Sequence, residues 1–226
     1  MDVKYIKPNI FPIIVESFFI VACFLFREYC IYINFWFYMI LFIYLRKDFS
    51  FKELAASAKG GKIFWRQVMA TILFFGLAFA FTSILENIFP YLDMGMMNLK
   101  VNNWLTFILF TVSTIILPPI VEEVFYRKNL ISFKNRKILI LTTLLSMFLY
   151  ALEHAFAIWG IFLCMIWALP LSVAYIKTKN VYVPITAHFI CNVIVNGITI
   201  IKLFHFLHKN FIFDALLCCI YRLSCK

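Results

Sequence analysis

Seven apolar runs of a length that suits helices crossing a bilayer dominate this sequence. They lie at 9–26, 29–45, 65–90, 103–126, 138–153, 157–176 and 181–201, and a shorter run follows at 211–223. A hydrocarbon core of about 30 Å requires about 20 apolar residues of helix. With 64% hydrophobic and only 14% charged residues, the chain lacks the polar side chains that cover a water-facing surface. We therefore predict an all-α, polytopic membrane helix bundle of seven to eight transmembrane helices, in which 211–223 is either a short last span or an interfacial helix.

No stretch combines the length and the polarity of an extramembrane domain, so residues 1–226 are expected to form a single membrane-embedded domain. Lysine and arginine concentrate in the connectors: fourteen lie on the side of the 46–66 connector, Lys4 and Lys7 among them, against four on the opposite side. This bias predicts a cytoplasmic N-terminus. The net charge of +10 is explained by basic connectors that set the orientation of the bundle and contact anionic headgroups of the lipid bilayer. No nucleic acid is expected as a partner.

The connector at 46–66 has two interpretations. It is either an amphipathic surface helix broken at Gly60 and Gly61 or a solvated loop, and its composition favours neither interpretation.

Two adjacent carboxylates and an arginine interrupt the fourth apolar run, directly after Pro118 and Pro119. Glu123 and Arg127 are spaced i,i+4, so they can pair on one helical face. Glu122 points about 100° away and has no partner in its own helix. A carboxylate without a counter-ion at low dielectric takes up a proton readily, which suits a general base. The alternative is a cluster of charges at the end of a span, with both glutamates reaching the interface.

Two further pairs of polar side chains follow at helical spacing. Tyr150 and His154 share a face at the end of the fifth run, which places an aromatic ring beside an imidazole. His188 and Asn192 share a face in the seventh run and would present two hydrogen-bonding groups to one spot. Taken alone, His154 could be an interfacial residue, and the second pair could be polar contacts between helices.

Together, the three motifs resemble those of the CAAX-protease and bacteriocin-processing (CPBP or Abi) family of intramembrane proteases. The family's motifs are Glu-Glu-x-x-x-Arg, Phe-x-x-x-His and His-x-x-x-Asn; here they read Glu122-Glu123…Arg127, Tyr150…His154 and His188…Asn192. Tyrosine replaces the usual phenylalanine and keeps the ring. The resemblance covers residues 103–201, which we therefore expect to be the catalytic core.

The resemblance implies hydrolysis of a peptide bond by a glutamate-activated water, without a cofactor. Glu122 would be the base, His154 would position the water, and His188 with Asn192 would form the oxyanion hole. Glu123, Arg127 and Tyr150 would support the site. A metal site built from Glu122, His154 and His188 is the competing interpretation.

The depths of the three site residues in the membrane, estimated from helix rise, agree only in part with a single site. At about 1.5 Å per residue, Glu122 and His188 lie roughly 16 Å and 13 Å from the turns on their side, but His154 lies roughly 24 Å from the start of its helix. The sequence therefore leaves His154 at a different depth from the other two.

The function expected from these motifs is an endopeptidase of the bacterial cell membrane, acting on a peptide or membrane-protein substrate near the cytoplasmic face. Its role would be peptide maturation or bacteriocin self-immunity. One alternative is a non-catalytic scaffold or immunity protein that binds a sensor kinase or a toxin target. Another is a small transporter with Glu16, Glu86 and the glutamate pair as a relay. His205 and His208 could bind a metal at i,i+3, although such a pair on a connector is more often solvated.

Overall fold

The computed structural model describes residues 10–224, with side chains up to residue 209. Within this part all regular structure is helical, and nine α-helices follow one another along the chain: α1 Ile10–Leu25, α2 Cys30–Leu45, α3 Phe51–Ala58, α4 Lys62–Ile88, α5 Trp104–Thr111, α6 Leu117–Glu122, α7 Arg136–His154, α8 Ile158–Thr178 and α9 Tyr182–Ser224. Two π-helical segments, Val112–Ile116 and Glu123–Asn129, make α5 and α6 parts of one long span. Lys4 and Lys7 lie outside the described residues.

Six helical stretches of the described chain are long and apolar enough to cross a membrane. They are Arg27–Asp48, Lys62–Ile88, Trp104–Asn129, Arg136–His154, Ile158–Thr178 and Tyr182–Lys209, and the 16-residue α1 is a shorter apolar helix before them. These seven elements coincide with the seven apolar runs, so the prediction of an all-α polytopic membrane bundle is confirmed.

The apolar pattern predicts that the helix of the seventh run ends at residue 201, but the helix is longer. The helix α9 continues without a break to Ser224, so the backbone of the 211–223 run belongs to it, while the side chains of that run lie outside the described part. His205 and His208 therefore sit on an exposed helical face rather than on a connector.

The 46–66 connector forms a helix. Ser50 caps α3 by accepting a hydrogen bond from the Glu53 amide at 3.3 Å, and Leu54 packs against the protein core. The helix ends before Gly61, whose φ of 76° is a conformation that glycine adopts without steric cost. The surface-helix interpretation is thus confirmed over Phe51–Ala58.

The span that contains α6 lies at the centre of the bundle. Helix α6 contacts α2 and α9, the π-helical segment behind it contacts α7 and α8, and α4 packs on α8 and α9. The outer faces carry large apolar side chains such as Phe18, Leu73 and Leu141. In a bilayer, lipid tails would cover this surface, so the buried polar groups of the central span are the exception that calls for an explanation.

The connector between α4 and α5 folds back against the end of α7. Met96 forms an isolated antiparallel bridge with Ala155, in which the Met97 amide donates to the His154 carbonyl at 3.0 Å and the Phe156 amide donates to the Gly95 carbonyl at 2.9 Å. This connector thereby fixes the backbone of one motif histidine.

Candidate active site

A cavity of about 470 Å³ opens within the bundle. All four side chains expected to be catalytic line it: Glu122, His154, His188 and Asn192. The connector residues Met96–Leu99 line it as well, so the cavity extends along the bundle as far as the end of α7. His154 lines the same cavity as Glu122 and His188, so the difference in depth estimated from helix rise does not separate it from them.

Glu122 is held by a residue from α2. The Tyr38 hydroxyl donates to Glu122 Oε1 at 2.5 Å, and both side chains are buried. Glu122 Oε2 makes no hydrogen bond among the described residues, and His188 Nε2 lies 3.9 Å from it. Glu122 is indeed without a partner in its own helix, but one of its oxygens is fixed from another helix and the other is left for the cavity.

Glu123 forms the ion pair that its spacing predicts. Its Oε2 lies 3.2 Å from Arg127 Nε, and neither side chain is accessible to solvent. Its Oε1 is 2.9 Å from His188 Nδ1. The two carboxylates, which helix geometry places about 100° apart, both approach His188 through different ring nitrogens. Glu123 begins a π-helical segment, whose wider turn changes the angle between successive side chains from that of an α-helix.

His154 and Tyr150 pack as predicted. Their rings are stacked, with centroids 4.4 Å apart and an interplanar angle of 26°. His154 Nδ1 is 2.9 Å from the Tyr150 carbonyl oxygen, which is an acceptor only, so Nδ1 carries the proton. The Arg127 guanidinium lies over the Tyr150 ring at 4.8 Å. Tyr150 thus connects the two motifs through its ring.

Asn192 makes a contact that the sequence does not predict. Its Nδ2 donates to the Thr114 carbonyl at 2.9 Å, and Asn196 Nδ2 approaches the same oxygen at 3.3 Å. In an α-helix or a π-helix, the donor for this carbonyl would come from position 118 or 119, and both are prolines without an N–H. His188 and Asn192 therefore do not direct all their hydrogen bonds to one spot, although both line the cavity.

Behind these residues lies a group of buried acids and tyrosines to which the motifs assign no role. The Tyr126 hydroxyl is 2.6 Å from Glu153 Oε2 and 3.1 Å from Glu16 Oε1. Tyr38 also interacts with Glu153, which lines the cavity. The sequence shows both acids of this group within apolar runs, Glu16 alone and Glu153 beside His154. No sequence pattern predicts that the two side chains meet.

One group of three side chains in the described part could hold a metal ion. Glu122, Glu123 and His188 each offer a ligand atom, and these atoms lie within 4.8 Å of one another. The group differs from the predicted set because Glu123 replaces His154. Its Glu123 carboxylate is already paired with Arg127, whose positive charge would oppose a bound cation.

Comparison with known proteins agrees with the motifs. Residues 103–194 match the model of a family described as type II CAAX prenyl endopeptidase Rce1-like, and the matched range includes all three motifs. No curated protein and no solved structure matches the chain. The resemblance to CPBP proteases is thereby confirmed: residues 103–194 of this multi-pass membrane protein are similar to the Rce1-like family of CAAX-type endopeptidases.

Proposed function

We propose that this protein is an intramembrane endopeptidase in which Glu122 activates a water molecule to attack a peptide bond. The observation that carries the proposal is that Glu122, His154, His188 and Asn192 line one cavity in a chain with an Rce1-like region. Residues 103–201, the segment with the motifs, would be the catalytic core.

Two free acceptors are available to hold the water. Glu122 Oε2 makes no hydrogen bond among the described residues, and the Nδ1 bond of His154 to the Tyr150 carbonyl leaves Nε2 with its lone pair. A water between them would donate one proton to each, and its oxygen lone pair would be free to attack a carbonyl carbon. Such positioning by a base and a second acceptor is typical of general-base catalysis.

His188 and Asn192 would stabilise the oxyanion. The Glu123 carboxylate accepts from His188 Nδ1, and an imidazole with a proton on each nitrogen would offer its Nε2 N–H to the oxyanion. Asn192 would add an amide N–H. Donors preset in a dry site contribute about 2.7–4 kcal/mol each to lowering the barrier.

The reaction balances within these groups. The water oxygen bonds to the carbonyl carbon while its proton passes to Glu122, and the carbonyl oxygen becomes the oxyanion. Collapse of this intermediate breaks the C–N bond, and Glu122 returns the proton to the departing nitrogen. The products are a carboxylic acid, which keeps the second proton of the water, and a free amine, and Glu122 ends as it began.

A purified preparation in detergent tests the proposal with a fluorogenic farnesylated peptide that ends in a CAAX sequence as the probe. Glu122→Gln keeps the size of the side chain and removes the base, so we expect a loss of at least about 100-fold in kcat. Glu86→Gln is the matched control, because this glutamate also lies in a span, on α4, and does not line the cavity. Equal activity of both variants would reject Glu122 as the base.

A chelator separates the proposed mechanism from a metal site. We expect full activity after prolonged exposure to the chelator, because no step above requires a cation. Loss of activity that Zn²⁺ restores would instead favour the metal group of Glu122, Glu123 and His188.

The biological role that we propose is peptide maturation or bacteriocin self-immunity in a bacterial cell membrane, with a cytoplasmic N-terminus. A non-catalytic scaffold that binds a sensor kinase or a toxin target would not need the base. In cells that express both proteins equally, Glu122→Gln should therefore abolish the phenotype of the wild type. A phenotype that survives this substitution would reject the protease role and support the scaffold.

A further inference from the structure

Tyr126 lies between two buried carboxyl groups. Its hydroxyl oxygen is 2.6 Å from Glu153 Oε2 and 3.1 Å from Glu16 Oε1. Glu16, on α1, is 1% exposed, Tyr126 is not exposed at all, and Glu153 is 4% exposed. No water is needed to explain these contacts, since three side chains from different helices meet directly.

The hydrogen bonds between these groups require more protons than the tyrosine has. A phenol hydroxyl carries one proton, and an ionised carboxylate only accepts. The shorter contact, to Glu153, takes the proton of Tyr126. The contact to Glu16 then joins a carboxyl oxygen to a hydroxyl oxygen, and two such atoms repel unless the carboxyl group brings a proton of its own.

The surrounding charges favour the same assignment. Among the described residues, the ion pairs of buried groups join Glu123 to Arg127 and to His188, and Glu122 to His188, and none involves Glu16 or Glu153. Of the other titratable groups near this cluster, Tyr38 and Cys23 bring no positive charge. The positive charge of Arg127 acts on Glu153, whereas the charge that acts on Glu16 is that of Glu153. An ionised Glu16 would therefore be a buried charge without a partner, which is costly in an apolar interior.

We propose that Glu16 is a neutral carboxylic acid and a positioning residue of the active site. Its proton is donated to the Tyr126 oxygen, which commits the Tyr126 proton to Glu153. Glu153 is thereby held beside Tyr38, the residue that fixes Glu122. The catalytic half of this inference rests on the proposed protease function, and the protonation of Glu16 does not.

Infrared difference spectroscopy of the purified protein detects the proposed proton on the Glu16 carboxyl group directly. A protonated carboxylic acid has a carbonyl band that an ionised carboxylate lacks. We expect this band for Glu16 in the wild type, its loss in Glu16→Gln, and a change of its frequency in Tyr126→Phe, where the acceptor is missing. Glu28→Gln is the control, because Glu28 is exposed and paired with Lys100. A spectrum that Glu16→Gln leaves unchanged would overturn the proposal.

Activity on the farnesylated peptide tests the positioning role. Glutamine is the closest mimic of a neutral glutamic acid, since its amide can donate to Tyr126. We expect Glu16→Gln to keep kcat within about threefold and Glu16→Leu to lower it about tenfold, with KM unchanged in both. Equal kcat values for the two variants would reject the positioning role, and Glu16→Gln keeps the test open if Glu16→Leu does not fold.

The two readouts also separate this inference from the proposed function. A wild type that shows the Glu16 band but cleaves neither this peptide nor any other supplied would refute the protease, while the neutral acid would stand. If the wild type cleaved the peptide but lacked the band, the neutral acid would be refuted and the protease would stand.

Discussion

Tyr38 donates its hydroxyl proton to Oε1 of Glu122 at 2.5 Å, across 84 positions of the sequence. The donor lies on α2, outside the range 103–194 that matches the Rce1-like family. The candidate active site is therefore completed by the N-terminal helices, and the segment that carries the motifs does not contain all of it.

Tyr38→Phe should slow catalysis without preventing folding. A hydrogen bond to a charged group contributes about 1.5–3 kcal/mol, so its loss should lower kcat by about 10- to 150-fold. KM should change little, because Tyr38 orients the base and is not expected to bind substrate. The measurement is steady-state cleavage of the farnesylated peptide. Tyr32→Phe, on the same helix but away from the cavity lining, is the control, and matching kcat values for the two variants would count against orientation by Tyr38.

Glu123→Gln should destabilise the protein, whereas Glu122→Gln should not. Arg127 is fully buried and lies 3.2 Å from Glu123, so removing this carboxylate leaves an uncompensated charge at a cost of about 3–5 kcal/mol. In Glu122→Gln, Arg127 and His188 both keep their closer contacts with Glu123, and glutamine fills the space of the lost carboxylate. Thermal unfolding in detergent compares the two variants. The ion pair would have no structural importance if both melted at the wild-type temperature.

The sequence predicts the parts of this site that are local along one helix. The Glu123–Arg127 pair and the stacked rings of Tyr150 and His154 both follow from i,i+4 spacing on regular helices, and both are found. The number and order of the spans follow equally directly from apolar run length.

What the sequence does not predict comes from contacts between distant helices. Tyr38 is one of many aromatic residues in an apolar run, and no periodicity indicates which of them meets Glu122. The π-helical segment at Glu123–Asn129 is also invisible in a pattern at 3.6 residues per turn, and the sequence does not predict that both glutamates approach His188. The hydrogen bond from Asn192 Nδ2 to the Thr114 carbonyl is not predicted either. It requires that α9 pack beside the carbonyl that Pro118 leaves without a backbone donor.

Alanine substitutions at Asn192 and Asn196 should separate catalysis from helix packing. Both side chains donate to the Thr114 carbonyl, so each substitution should weaken the fold by about 0.5–1.5 kcal/mol. Only Asn192→Ala should also lower kcat, by about 100- to 1,000-fold, if its amide serves the oxyanion. Thermal unfolding and kcat are measured on the same preparations. A kcat loss of equal size in both variants would show that Asn192 acts through packing alone.

Gly95→Ala should disturb the site from a distance. The φ of Gly95 is 57°, and an added Cβ would lie 2.6 Å from the Ala157 nitrogen and 2.7 Å from its Cβ. The connector would have to move away from the end of α7, which breaks the bond from the Met97 amide to the His154 carbonyl. We expect a loss of about 1–3 kcal/mol in stability together with a lower kcat, because His154 would no longer be fixed.

Gly76→Ala is the matched control for this substitution. Gly76 lies within α4, and an added Cβ there meets no atom within 4 Å, so the change should be neutral or stabilise the helix by about 0.5–1 kcal/mol. Unfolding temperature and peptide cleavage are compared for the two variants and the wild type. If Gly95→Ala behaved like Gly76→Ala in both measurements, the connector would have no part in fixing His154, and the alignment of this histidine would have to come from its contacts with Tyr150 alone.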